Sequence, residues 1–240
     1  MVEVREKKKK WVMSKGRGVL YSFISSVFKD EVSLEHIDVF LSAENRLLLE
    51  ELLNTLPEEN RHRMEEQVKV IKSYQSSGIS GEQREEINLG LRKEFAFLFL
   101  TPHGVYPFES IYRGKKKLLM DRPWEEVRGF YRSVGLEKDK SEMHPEDHIA
   151  VELGFMATFA FLTSSAGENE SAEEGTEDLP GLLQVQQSFL QEHLLKWIPD
   201  FCNDMEQKSR NDFYRAVAAL TREFVWADSA ALEEVMIDHQ

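Results

Sequence analysis

The chain of 240 residues fits one large domain or two small ones, and with 41% hydrophobic and 30% charged residues it can bury a sizeable core. Its 13 glycines and 7 prolines are too few for a typical β-sandwich or barrel, and the glycine clusters of nucleotide-binding folds are missing. The net charge of −13 disfavours nucleic acid and favours a cationic partner, and the single cysteine, Cys202, excludes an internal disulfide and cysteine-rich metal or iron–sulfur sites.

The first residues of the chain are basic rather than apolar. Residues 1–16 include a run of four lysines, and charge returns at Lys15 and Arg17, where an export signal would continue with an apolar stretch. No apolar run reaches the ~18 residues that span a membrane. We therefore predict that residues 1–16 form a solvated, frayed end, and that the protein is cytoplasmic and has no membrane span.

Helical periodicity dominates the rest of the chain, and no segment alternates apolar and polar residues for long enough to predict a strand. Ser80 and Gln83 have the spacing of a capping box, which opens a helix that must end before Pro102. Residues 101–114 predict an ordered, aromatic loop. Helices are predicted around residues 19–28, 48–52, 64–71, 87–98, 121–134, 145–162, 185–197, 213–224 and 230–237.

An acidic segment interrupts the helical pattern at residues 164–181. It contains six acidic residues and no basic one, a composition typical of a flexible loop or hinge. The pattern thus predicts an all-α protein, a single globular domain of about nine or ten helices. A helical body of residues 17–163 would be followed by the hinge and by C-terminal helices, 182–240, that pack on the same domain. Such a hinge would permit a domain-swapped dimer as an alternative to a monomer.

The densest polar cluster is the run His-Pro-Glu-Asp-His at residues 144–148. A helix that begins at Pro145 would place Glu146 and Asp147 in its first turn, where the helix dipole and free N–H groups stabilise negative charge. His148 and Glu152 are four residues apart and would share a stripe with Phe155. The result would be an anionic tip above an aromatic face, which suits a peptide with a cationic end and an apolar body. Alternatively, Asp147 only complements the dipole and His148 only ties the helix start to a loop.

Two other functions remain open at this point. His144, His148 and Glu152 could converge on one metal ion in a metal-dependent hydrolase, although Pro145 would put His144 outside the helix. No Gly-x-Ser-x-Gly element is present, and Cys202 lies in an apolar helical context where a free cysteine usually packs. The other possibility is a helical interaction module without a peptide groove. We expect no enzyme activity and no cofactor.

Six sequence blocks occur in an order that is typical of one family. They are residues 17–28, 95–112, 127–135, 145–156, 193–197 and 213–216. The most diagnostic block is 145–156, which begins Pro-Glu-Asp-His. Together they resemble the TorD/DmsD family of maturation chaperones for molybdenum oxidoreductases over most of residues 17–228.

The resemblance implies an all-helical chaperone without catalytic turnover. Its partners would be an apo-molybdoenzyme subunit and the twin-arginine signal peptide of that subunit, held back from export until cofactor insertion and folding. The family's Asp-His pair, linked to signal-peptide binding, falls on Asp147 and His148, and its preceding proline falls on Pro145. His144 is a departure, because many members carry Glu there.

A twin-arginine peptide has two cations followed by an apolar segment. We expect Glu146 and Glu152, together with Asp147, to accept charge-assisted hydrogen bonds from the guanidinium groups. The apolar segment needs a groove between helices with surplus aromatic faces. The candidates to line it are Trp124, Phe108, Tyr112 and Phe155.

Overall fold

A computed structural model describes Glu6, Val12 and residues 14–169 and 179–237. Over these residues the chain has eleven α-helices, one 3-10 turn and no strand, which confirms the prediction of an all-α domain. The α-helices are α1 (Lys15–Lys29), α2 (Leu34–Phe40), α3 (Ala43–Asn54), α4 (Glu58–Lys72), α5 (Gly81–Leu100), α6 (Glu109–Arg113), α7 (Arg122–Ser133), α8 (Ile149–Asn169), α9 (Leu179–Glu192), α10 (Ile198–Lys208) and α11 (Asp212–Ile237), and the 3-10 turn is Leu194–Lys196.

Several helix boundaries follow local capping signals. Ser80 and Gln83 form the predicted capping box at the start of α5, and α5 ends one residue before Thr101, ahead of Pro102. Pro123 lies in the first turn of α7, where its missing N–H costs nothing. Gly135 follows that helix with a φ of 73°, a left-handed conformation that glycine adopts without strain.

Helices α1 and α8 lie side by side at the centre of the fold. The hydroxyl of Ser25 donates to the carbonyl of Ala150 at 2.7 Å. A Cβ at Gly18 would lie 2.6 Å from the ring of Phe161, so the glycine permits this close approach. Around this pair, one continuous core includes large aromatic side chains from the C-terminal helices, among them Trp197, Phe189, Phe201, Phe213 and Phe224.

A buried ion pair joins the two ends of the chain. Arg17 on α1 donates to Asp228 on α11 through Nε at 2.6 Å and Nη2 at 2.9 Å, and neither side chain is exposed. Arg17 also bonds to the carbonyl of Val12 and to Gln186 on α9, both at 2.8 Å. Val12 itself is buried, so this part of the predicted frayed end packs on the domain.

Three sequence predictions need correction. Helix α8 begins at Ile149, four residues after Pro145, for reasons given with the site below. Residues 164–169 continue α8 and 179–181 belong to α9, so they are not loop, while residues 170–178 of the predicted hinge lie outside the described residues. Residues 230–237 continue α11, because no glycine or proline interrupts the helix after Asp212.

Helix α8 is unusually apolar. Its residues Ile149–Ala166 are long and apolar enough to cross a bilayer, the one such stretch in the part of the chain that the structure describes. However, 67% of that stretch is buried within the protein. A helix that is apolar on most sides and buried is what the core of a helical domain requires.

Candidate functional site

The 144–148 run is held in place by a distant segment of backbone. The N–H of Glu109 donates to the carbonyl of Asp147, and the N–H of Ile149 donates to the carbonyl of Pro107, both at 2.9 Å. Phe108 and His148 thereby form an isolated β-bridge. This pairing requires extended backbone at His148, so the helix cannot begin at Pro145 and begins at Ile149 instead.

Asp147 is fully buried and serves the start of α6. Its Oδ2 accepts the backbone N–H of Ser110 at 3.0 Å. Its Oδ1 has no hydrogen-bond partner among the described residues. Burial raises the pKa of Asp147 above its ordinary value, because desolvation disfavours the charged form. We predicted that Asp147 would lie in an anionic tip at the helix start, but its carboxylate lies in the interior.

His148 is also in the interior, with only 3% of its surface exposed. Its Nδ1 accepts the N–H of Ala150 at 3.2 Å, and its ring lies against those of His144 and Phe108 at centroid distances of 4.2 and 5.0 Å. Burial lowers the pKa of His148 to about 3. The imidazole is thus neutral at physiological pH and acts as an acceptor within the fold.

Glu152 belongs to a buried polar cluster that the sequence did not reveal. Its Oε2 accepts the indole N–H of Trp197 at 3.0 Å. Burial raises the pKa of Glu152 well above its ordinary value, and the nearby carboxylate of Glu109 raises it further. Glu109, also buried, pairs with Arg113 and lies 3.1 Å from Nδ1 of His193. The raised pKa of Glu152 favours its protonated form in this interior.

His193 had no assigned partner in the sequence, since it is 84 residues from Glu109. Helical periodicity offers no means of pairing residues at that separation. The signal that could have found the pair is the resemblance, because Glu109 and His193 lie in two of the six blocks.

Glu146 is the carboxylate of the run that reaches the surface. Its Oε2 accepts the indole N–H of Trp124 on α7 at 2.7 Å, and its side chain is 17% exposed. The guanidinium of Arg128, one turn along α7, lies 5.0 Å from the Trp124 ring centroid and 4.0 Å from Oε1 of Glu146. The hydroxyl of Tyr131 donates to the Glu146 carbonyl at 3.4 Å and fixes the backbone beneath.

A pocket of about 300 Å³ opens beside Glu146. It lies between α7 and the loop that follows it, and its walls carry both signs of charge. The residues that line it are Arg128, Tyr131, Arg132, Leu136, Glu137, Lys138, Asp139, Lys140, Glu142 and Glu146. A pocket of this size and polarity suits a polar side chain of a peptide rather than its apolar stretch.

The remaining predicted site residues do not form one groove. Phe155 is a core residue, with its ring 4.5 Å from that of Phe189. Tyr112 donates its hydroxyl to Asp204 on α10 at 3.1 Å, and its ring lies against those of Trp197 and Phe201. Phe108 and Trp124 are half-buried and contact that run, so of the four predicted aromatic residues the structure brings these two to it.

The three residues of the metal alternative do not form a ligand set. Nδ1 of His144 lies 2.8 Å from Oε1 of Glu142, and Nδ1 of His148 is already an acceptor for Ala150. Glu152 faces the interior cluster instead. Over the residues that the structure describes, no group of three or more His, Cys, Asp or Glu side chains could hold a metal ion. The structure therefore does not provide the convergence of ligands that the hypothesis of a metal-dependent hydrolase requires.

The described residues form an all-helical domain that presents a carboxylate and an indole, Glu146 and Trp124, at one surface. The sequence model of the family described as nitrate reductase delta subunit matches residues 41–203, and the chain belongs to that family. This membership confirms the resemblance that the six blocks carried.

Curated relatives agree with this assignment. The chain is 29% identical to a Chaperone protein TorD of Vibrio parahaemolyticus over 90% of this chain and 94% of that protein. It is 30% identical to one of Vibrio atlanticus, over 90% and 94%, and 34% identical to one of Photobacterium profundum, over 62% and 67%. These relatives are named as chaperones, so the chain is a chaperone of this family and not an enzyme.

Proposed function

We propose that this chain is a cytoplasmic maturation chaperone that binds the twin-arginine signal peptide of an apo-molybdoenzyme subunit and delays its export until the cofactor is inserted. The observation that carries the proposal is the presentation of Glu146 and Trp124 at the surface of a chain in this family. The partner is thus a peptide with two guanidinium groups and an apolar segment.

The chemistry of the Glu146 surface supports a guanidinium ligand. Arg128 already lies against both the Trp124 ring and the Glu146 carboxylate, at 5.0 and 4.0 Å. An indole face and a carboxylate edge are the two groups that a planar, delocalised cation prefers. At 4.0 Å the contact of Arg128 with Glu146 is loose, and its side chain is 40% exposed. An arginine of the peptide can therefore take its place.

Asp147 and His148 enter the proposal as positioning residues rather than as contacts. Asp147 fastens the start of α6 to the run, and His148 supports it through the bridge to Phe108. Both side chains are buried, so neither reaches a peptide bound at the surface. Their effect on binding is to keep Glu146 in place next to Trp124. Glu152 and Phe155 lie deeper and support the same arrangement from the core.

The apolar segment of the peptide would lie across the half-buried aromatic residues beside the run. Phe108 adjoins the run through its bridge to His148, and Trp124 adjoins it through its bond to Glu146. Pro145, in the run itself, is half-buried like both of them. A net charge of −13 speeds the approach of a basic peptide at low salt. We expect an affinity near micromolar, about −8 kcal/mol, which permits release to the export machinery.

The test is a titration of a fluorescent twin-arginine peptide against matched variants. Glu146→Gln keeps the size of the side chain but removes its charge, and it should weaken binding about tenfold, the loss of one charge-assisted hydrogen bond. Glu125→Gln is the control, because it removes the same charge from the exposed surface of α7. A peptide with both arginines replaced by lysine should also bind weakly. Equal affinities of the wild type and Glu146→Gln would refute the proposed site.

A further inference from the structure

The loop between α6 and α7 exposes three large apolar side chains in succession. Leu118, Leu119 and Met120 have 56%, 54% and 55% of their surface exposed. Residues 115–117 directly before them are three lysines, all exposed. Single exposed leucines are ordinary on a protein surface, but a contiguous apolar tip next to a basic run indicates an interaction.

The backbone holds this tip in a defined shape. The φ angles of Lys117 and Met120 are 51° and 55°, in a left-handed region that residues other than glycine rarely adopt. At the base of the loop, the N–H of Gly114 donates to Ser110 at 2.9 Å and the N–H of Lys117 donates to Gly114 at 3.2 Å. A Cβ at Gly114 would lie 2.3 Å from the Ser110 carbonyl, so the base packs tightly. The exposure of the three side chains thus follows from an ordered turn.

We propose that this tip, residues 115–120, docks the protein on an anionic lipid surface. Leu118, Leu119 and Met120 enter the boundary between headgroups and acyl chains, while the three lysines contact the lipid phosphates. A basic segment beside apolar side chains is the arrangement that binds peripherally to such membranes. The inference is independent of the proposed peptide site, because it concerns a different loop and a different ligand.

Charge complementarity favours a membrane over a protein groove. The chain as a whole carries −13, so an anionic surface repels most of it, and only a local basic patch can make contact. The tip is a convex loop of six residues, which offers no groove to a peptide but enters a fluid interface readily. Three adjacent lysines also interact better with the continuous negative field of a lipid layer than they would with a single acidic side chain of a protein partner.

The experiment is co-sedimentation of the full chain with vesicles of phosphatidylglycerol and phosphatidylcholine, compared with phosphatidylcholine alone. We expect binding to the anionic vesicles only, with an affinity that falls as salt rises. Replacing Lys115, Lys116 and Lys117 together by Gln should lower the affinity about 100-fold, from about fivefold per lysine. Leu118→Ser with Leu119→Ser should lower it at least about tenfold, because the inserted apolar area is lost.

Controls separate the tip from other surfaces. Leu100→Ser removes a leucine that is even more exposed, at 71%, on α5, and should leave vesicle binding unchanged. A Leu119→Cys variant with an environment-sensitive fluorophore should show a blue shift on anionic vesicles, and the native Cys202 does not interfere because it is buried. Retained circular dichroism and thermal stability confirm that the variants fold.

Three results would overturn the proposal. One is that the wild-type chain does not bind the anionic vesicles. A second is that both tip variants bind as tightly as the wild type, whereas replacing the four lysines of residues 7–10 by Gln abolishes binding. A third is that a photo-crosslinker at Leu118 captures a second copy of the chain or another protein instead of lipid, which would assign the tip to a protein partner.

Discussion

The carboxylate of Asp147 accepts the backbone N–H of Ser110 at 3.0 Å, and both residues are completely buried. The carbonyl of Asp147 also accepts the N–H of Glu109 at 2.9 Å. Asp147 therefore provides acceptors for two donors at the start of α6 that have no partner within the helix. A residue that the sequence assigned to a peptide ligand thus ties two segments of the fold together.

Asp147→Ala should lower the free energy of unfolding by about 1–3 kcal/mol, because the buried N–H of Ser110 loses its acceptor. Asp147→Asn should cost less, because it keeps an acceptor oxygen and removes a charge whose burial raises the pKa of the carboxyl. Denaturant unfolding at neutral pH measures both. Under the proposed function, the Asn variant should also keep its peptide affinity. An Asn variant that folds but does not bind would mean that Asp147 contacts the peptide directly.

The Glu152→Gln variant should become more stable relative to the wild type as pH rises. Because the pKa of Glu152 is raised in the folded state, the folded protein binds the proton more tightly, and this contribution is complete below the ordinary value of 4.5. It is lost as pH increases toward the folded pKa. The amide stays neutral and still accepts from Trp197.

Unfolding free energies of wild type and Glu152→Gln, measured between about pH 4.5 and 8.5, should therefore diverge with increasing pH. Glu152→Leu is the contrasting variant, since it leaves the Trp197 indole N–H without its acceptor and should be less stable throughout, by about 1–3 kcal/mol. A constant difference between the wild type and the Gln variant would contradict a protonated Glu152.

His148 should make the protein sensitive to acid. Its pKa is lowered from 6.5 to about 3, so between these values the unfolded chain binds more protons than the folded one. The contribution of neutral His148 to the free energy of unfolding is complete above about pH 6.5. It declines as pH falls toward 3, with a slope of up to about 1.4 kcal/mol per pH unit. His148→Asn keeps an acceptor for Ala150 and should reduce this slope. His103→Asn, at an exposed position, is the control, and an equal slope in both variants would argue against the assignment.

Arg17→Met should destabilise the protein by about 3–5 kcal/mol, because Asp228 stays buried without its guanidinium partner. The double variant Arg17→Met with Asp228→Leu removes both charges and should recover much of that loss. Thermal unfolding of the four proteins in this cycle provides the coupling free energy. Additive losses in the double variant would show that the two residues do not act as a pair.

Arg128→Gln should strengthen binding of the twin-arginine peptide about two- to fivefold, if the proposed site is correct, because it removes a competing guanidinium from Glu146 and Trp124. Arg132→Gln is the matched control, since it removes the same charge from the same pocket without a contact to Trp124. The peptide titration at low salt measures both. Weaker binding of the Arg128 variant would indicate that this arginine helps to hold the peptide.

Much of the fold was predictable because its signals are local. The Ser80–Gln83 capping box, the proline at the start of α7 and the period of the apolar stripes each act within a few residues. The start of α8 was misplaced for the opposite reason. Pro145 favours a helix start, but residues 145–148 form a turn, and the backbone bonds to Pro107 and Glu109 place His148 in a bridge with Phe108, so the helix begins only at Ile149.

The amino-acid sequence by itself determined that the chain is helical and, through its ordered blocks, which family it belongs to, because both properties are written in short-range patterns. The tertiary structure decided which polar groups of the 144–148 run face water. Asp147 and Ser110 are 37 residues apart in the sequence. The pairing of residues 107–110 with residues 147–149 holds the Asp147 carboxylate in the interior, while Glu146 stays at the surface. Exposure depends on what lies opposite a residue, and no local pattern contains that information.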